Sequence, residues 1–169
     1  YEDNKPVHIT HFLDTDYFEF GFGIGRRQVY NFDVPDLYIL HKIEHIPNVS
    51  VKMTYNSKFI TWLLGAMQRF GIFKRLSLKS RRKVFSSSGN GDLSVFDVVI
   101  YARDGKQKKI SVLSEKGQAE LTALSTVLHI ESLFNTHVEN RIYFAHELHT
   151  KQDLHHFLVD YKTITVNVI

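Results

Sequence analysis

The chain has 169 residues, 43% of them hydrophobic and 23% charged, with a formal charge of +3 and no cysteine. That length can bury a sizeable core, and the composition is that of a globular protein rather than a disordered or fibrous one. So small a charge argues against nucleic acid as a partner, while the missing cysteines exclude disulfide and thiolate chemistry and suit a cytoplasmic setting.

The first residues are polar and start without Met, which reads as a piece of a longer protein. Residues 7–13 have the look of a strand carrying His8 and His11. Gly21, Gly23 and Gly25 invite a dinucleotide reading, but the third glycine comes one place early and no helix follows. Residues 27–32 alternate instead, so a glycine-rich turn into a strand is expected. Pro35 opens a short helix through His41, and Pro47 ends what precedes it. Val49, Val51, Met53 and Tyr55 alternate like a half-buried strand. Asn56 or Ser57 caps a helix that runs to Phe70 and stops at Gly71, with Phe59 or Ile60, Leu63, Met67 and Phe70 as its core face. This is also the longest apolar stretch, and it is too short to span a bilayer, so no membrane partner is expected. Residues 74–85 carry six basic side chains without the interleaved aromatics of a nucleic-acid groove, which favours a solvated helical surface. Residues 86–92 have loop composition and serve either as a connector or as a cover over a site.

Residues 95–102 form a β-branched and aromatic run, apolar on both faces, as expected of a central strand. Asp104 and Gly105 then reverse the chain into residues 108–113, with Ile110 and Val112 on one face and Lys109 and Ser111 on the other. After Gly117 the period becomes helical. Leu121, Leu124 and Leu128 form one apolar row and Ala123, Val127, Ile130 and Phe134 another, which predicts a helix buried between other elements. A short apolar run follows at residues 142–145. Thr150 and Asp153 resemble a capping box that opens a helix with Leu154, Phe157, Leu158 and Tyr161 as its buried stripe. Residues 164–169 close the chain as a strand. With no internal repeat and no second domain, the whole reads as a single domain over residues 1–169.

The chemistry is sparse. Ten histidines suggest a metal, yet His146 and His149 miss the i, i+4 spacing that puts two ligands on one helical face, and the adjacent His155 and His156 point in different directions. Scattered surface or hydrogen-bonded histidines are expected, and no metal site is assigned. No catalytic triad or carboxylate pair can be picked from spacing, and no catalytic residue is named. Arg26 and Arg27 are the candidates to clamp a carboxylate, set against a plain charged turn.

Three groups of residues carry a resemblance. Gly25-Arg26-Arg27-Gln28-Val29 leads to Pro35 and then to Ile46-Pro47-Asn48-Val49-Ser50-Val51. The Asp104-Gly105 hairpin is followed by Ala119-Glu120-Leu121-Thr122-Ala123. The tail runs from Ile142-Tyr143-Phe144-Ala145-His146-Glu147 through a capped helix to Ile164-Thr165-Val166. Together they resemble the C-terminal, non-Rossmann domain of the saccharopine dehydrogenase-like oxidoreductases. The chain departs from that pattern where Asn140-Arg141 and Tyr161-Lys162-Thr163 replace glycines. The resemblance implies an α+β domain, a mixed, largely antiparallel sheet with helices packed on one face, that binds substrate and dimerises. It implies NAD or NADP on an N-terminal Rossmann domain and no cofactor on this chain, which would be inactive alone. A homodimer and a small-molecule substrate, an amino-acid conjugate, are the implied partners. Arg26, Arg27, Tyr30 and Thr122 are the substrate-facing candidates. The alternative is a non-catalytic homodimeric interaction module; a weaker third is an anion or nucleic-acid binder using residues 74–83.

Overall fold

Two antiparallel three-stranded sheets, rather than one mixed sheet, carry this α+β fold. The structure, a computed structural model, describes residues 1–86, 93–135, 139, 141–150, 153 and 160–169. The span expected as one domain divides into two compact units, Tyr1–Gly89 and Asn90–Ile169, each with a sheet and helices of its own.

In the first unit, β1 (Thr15–Phe20) and β2 (Gly25–Asn31) form a hairpin. Its turn needs left-handed backbone, with φ of 73° at Gly23 and 71° at Gly25, and this is the glycine-rich turn the sequence predicts. β3 (Lys52–Met53) pairs with β2 opposite Tyr30 and Asn31, so only two residues of the expected strand over 49–55 join the sheet. α1 (Pro35–Tyr38) begins with its proline at the first position, where a missing N–H costs nothing, and runs on as a π turn at Ile39–Ile43. In α2 (Lys58–Arg69), the Ser57 hydroxyl accepts a hydrogen bond from the Ile60 N–H, and Gly71 at φ 66° ends the helical run. The short α3 (Ile72–Arg75) and α4 (Leu78–Ser86) follow, with their basic side chains mostly exposed, as a solvated surface requires.

One expectation for this unit fails and a second holds only in part, both because of tertiary packing. Residues 7–13 are not a strand: the chain turns at 11–13, and Phe12, at φ 64°, drives its ring into the core with Tyr30, Leu64 and Phe73. The core face of α2 only partly follows the one the apolar residues suggest: Ile60 and Met67 pack against the core and Leu63 is half-buried. Phe59 and Phe70 are exposed, while Thr61, Leu64 and Gly65 are buried. The reason is Tyr30, whose ring lies so close to the helix that a Cβ at residue 65 would meet its Oη at 2.0 Å. Only glycine admits that approach, and it sets the phase of the helix.

In the second unit the order is β4 (Ser94–Tyr101), β5 (Gln107–Ser114), β6 (Ile164–Val168), antiparallel throughout. The Asp104-Gly105 turn is present: Gly105 adopts φ 82°, and the Asp104 carboxylate accepts the Lys106 N–H at 3.1 Å. β4, expected at the centre, is an edge strand. Its apolar residues Phe96, Val98 and Ile100 are exposed, and they share a face with Ile110 and Val112 of β5 and Val166 and Val168 of β6. The opposite face is the buried one, and it holds Asp97, Lys109 and Ser111. α5 (Gly117–Asn135) lies against β5 through the half-buried row Leu121, Leu124 and Leu128. The second row points outward: Val127, Ile130 and Phe134 are exposed, so the helix is not buried on all sides. Glu120 ties the unit together, accepting from Thr163 Oγ1 at 2.7 Å and Ser114 Oγ at 2.9 Å. The Thr150–Asp153 capping box is formed, with N–H groups and side chains exchanging bonds at 2.8 and 3.2 Å. Most of the stripe expected after it (Leu154, Phe157 and Leu158) lies outside the described residues.

Candidate functional site

The β1–β2 turn places Arg26 and Arg27 at the start of β2 and sets Glu19 opposite Arg26 and Tyr17 opposite Gln28. Side-chain alternation then puts Arg26, Gln28 and Tyr30 on one face of the strand. Tyr30 is taken up by the core. It is 3% exposed, packs edge-on against Phe12 and touches α2 at Gly65. That environment raises the Tyr30 phenol above its ordinary pKa, chiefly through burial. Two and four residues earlier, Gln28 and Arg26 line a cavity of about 220 Å³ together with Tyr17, Arg27, Thr54 and the first-turn residues Lys58 and Thr61 of α2.

This lining holds three cationic side chains and no carboxylate. The Arg26 guanidinium lies 4.6 Å from the centre of the Tyr17 ring, a contact that orients the charge without neutralising it. Arg27 and Lys58 make no ion pair among the described residues. Two carboxylates lie nearby: Glu19 stands opposite Arg26 on β1, and Asp16 is held by Lys52, whose hydrogen bond is the main cause keeping its pKa below the usual value, with only a minor pull from Arg26. The Thr61 hydroxyl donates to the Ser57 carbonyl at 3.0 Å, accepts the Tyr55 N–H at 3.1 Å and lies 3.2 Å from Thr54 Oγ1. That network fixes the wall. The lining holds no imidazole or carboxylate, and its cationic side chains have the chemistry to bind an anion.

Thr122, the fourth sequence candidate, belongs to the other unit, where it is exposed on α5 and its hydroxyl donates to the Gln118 carbonyl of the same helix at 3.0 Å. Sequence reasoning missed Tyr17, Gln28, Thr54 and Lys58, which only the hairpin register and the placement of α2 bring to Arg26 and Arg27. It also missed a chain of polar groups in the second unit. His129 Nδ1 hydrogen-bonds His149 Nε2 with the rings stacked at 4.6 Å, and the outer nitrogens meet Ser125 Oγ at 3.2 Å and Ser132 Oγ at 3.1 Å. Burial, and then the neighbouring His129, hold the His149 pKa below its ordinary value against an opposing pull from Asp153. Twenty residues separate the two histidines, so spacing could not pair them. Among the described residues no three potential ligands gather as a metal site would require, and no helix is long and apolar enough to cross a membrane.

Gly21, Gly23 and Gly25 close a β-hairpin instead of opening a helix, so they do not fit a dinucleotide pyrophosphate. No family model matches the chain, and no curated protein or solved structure matches it.

Proposed function

We propose that the chain is the substrate-binding and dimerisation part of an NAD(P)-dependent saccharopine dehydrogenase-like oxidoreductase. The observation that carries this reading is the cavity at Arg26, Arg27 and Lys58, cationic on three sides and free of carboxylates, which suits an amino-acid conjugate bearing carboxylates. The α+β architecture supports it as well. In this reading hydride chemistry belongs to a nicotinamide held by another domain, and the residues of this chain grip and orient the substrate.

Calorimetric titration with saccharopine tests the proposal. Saturable binding is expected, weakened about tenfold by Arg26→Ala and by Lys58→Ala. Equal affinity in the variants, or no binding by the native chain, would refute it.

A second reading, a non-catalytic homodimeric interaction module, is favoured by one observation. One face of the second unit's sheet exposes Phe96, Val98 and Ile100 on β4 and Val168 on β6, with the half-buried Ile110 and Val112 of β5 between them.

A further inference from the structure

The first unit contains a second and larger cavity, of about 430 Å³, whose lining shares no residue with the cationic one. It is a cleft open to solvent, and its volume is within the range of small-molecule sites. One wall is a bank of rings. Phe73 and Phe85 are stacked at 5.6 Å and 10°, and Phe12 and Phe85 at 6.0 Å and 26°. Phe32 borders the same cavity with its ring held edge-on by His11 at 5.2 Å. Near-parallel aromatic faces of this kind favour a flat apolar guest.

The polar element is Arg81. Its Nε donates to the Leu76 carbonyl at 3.0 Å and its Nη2 approaches the Lys74 carbonyl at 3.5 Å, which anchors the guanidinium to the main chain. Its Nη1 makes no hydrogen bond among the described residues, and no carboxylate lines the cavity. A pre-positioned guanidinium with open donors selects a planar oxyanion. We propose that this cavity is a binding site for a small planar ring compound carrying one carboxylate, the ring lying along the phenylalanine wall and the carboxylate on Arg81. Gln68 in the same lining adds a neutral hydrogen-bonding group. The inference stands apart from the reductase reading, because the two linings are disjoint and each has its own probe.

The probes are 2-naphthoate and its uncharged counterpart 2-naphthalenemethanol, followed by saturation-transfer NMR and calorimetry on the whole chain. One naphthoate per chain is expected, bound about tenfold more tightly than the alcohol. Arg81→Met should abolish that preference while leaving the alcohol's affinity unchanged, and Met53→Trp, which fills the cavity, should abolish binding of both. Equal affinities for the two probes in the native chain, no saturable binding up to about 1 mM, or a preference that survives in Arg81→Met would each overturn the proposal. If Arg81→Met fails to fold because it loses its carbonyl anchors, Arg81→Lys takes its place. That variant keeps the charge without the fork and should retain a reduced preference; a preference as large as the native one would count against the guanidinium. Binding to the exposed apolar face of the second unit is distinguished by its indifference to both Arg81 and Met53 substitutions, and it would overturn the proposal.

Discussion

A single missing methyl group decides how α2 meets its sheet. Tyr30 is buried and cannot swing away, and a Cβ at residue 65 would stand 2.0 Å from its Oη and 2.9 Å from its Cζ. Gly65→Ala should therefore cost about 1–3 kcal/mol of stability, as overpacking does. Tyr30→Phe, which removes the closest atom, should recover part of that loss; urea midpoints of the two single variants and the double variant check it. His149 gives a second prediction at this scale. Its folded-state pKa is lowered from the ordinary 6.5, mainly by burial, so the folded state prefers the neutral ring. Below pH 6.5 the unfolded segment gains a proton that the folded one resists. Stability is thus complete above that value and falls as the pH drops toward the folded pKa. Protection factors of the amides in residues 141–150, which remove the intrinsic pH dependence of exchange, should fall as the pH drops below 6.5, and His149→Gln should flatten that dependence. An unchanged slope in the variant would dismiss the histidine as its origin.

Elements were legible where local chemistry alone sets them. Ser57 and Gly71 bracket α2, Asp104 and Gly105 reverse the chain, Thr150 and Asp153 form their cap, and Pro35 opens α1. Orientation was not legible, because it depends on partners that are distant in sequence. The apolar stripe of α2 reads through Phe59 or Ile60, Leu63, Met67 and Phe70. Ile60 and Met67 do meet the core, but Phe59 and Phe70 are exposed and the tyrosine–glycine approach turns Thr61 and Leu64 inward. β4 looks central because both its faces are apolar, yet it takes an edge. The candidate site divides the same way. Arg26 and Arg27 were visible as a charged pair, but pairing with β1 and the first turn of α2 supplies the rest of the lining, and side-chain alternation hands Tyr30 to the core. A buried ion pair tests how β4 and β5 are joined. Asp97 is 1% exposed and meets Lys109 at 3.1 Å. Lys109→Met leaves a buried charge without this cation and should destabilise by about 3 kcal/mol, whereas replacing both partners with apolar residues should be nearly neutral. Denaturant midpoints of the single and double variants measure the difference.

At the scale of the molecule, the two units place their apolar surface differently. The first gathers Phe12, Tyr30, Leu64 and Phe73 inside. The second buries polar and charged side chains on one side of its sheet and exposes aliphatic and aromatic ones on the other. If that open face pairs two copies of the chain, Val98→Lys should convert the dimer to a monomer in sedimentation while changing stability by no more than about 0.5 kcal/mol, since Val98 is already exposed. A monomer at every concentration of the native protein would remove the dimer reading. The alternation of β5 has a further consequence for how the chain finds its shape. A slip of one residue against β4 would exchange the sides of that strand, sending Lys109 and Ser111 to water and Ile110 and Val112 indoors. By ordinary hydrophobic preference the slipped pairing competes with the native one, and the Arg103-Asp104-Gly105 reversal, closed by the Ala102 N–H donating to the Lys106 carbonyl at 2.8 Å, is what arbitrates between them. Lengthening that turn by one residue would hand the chain an alternative fold.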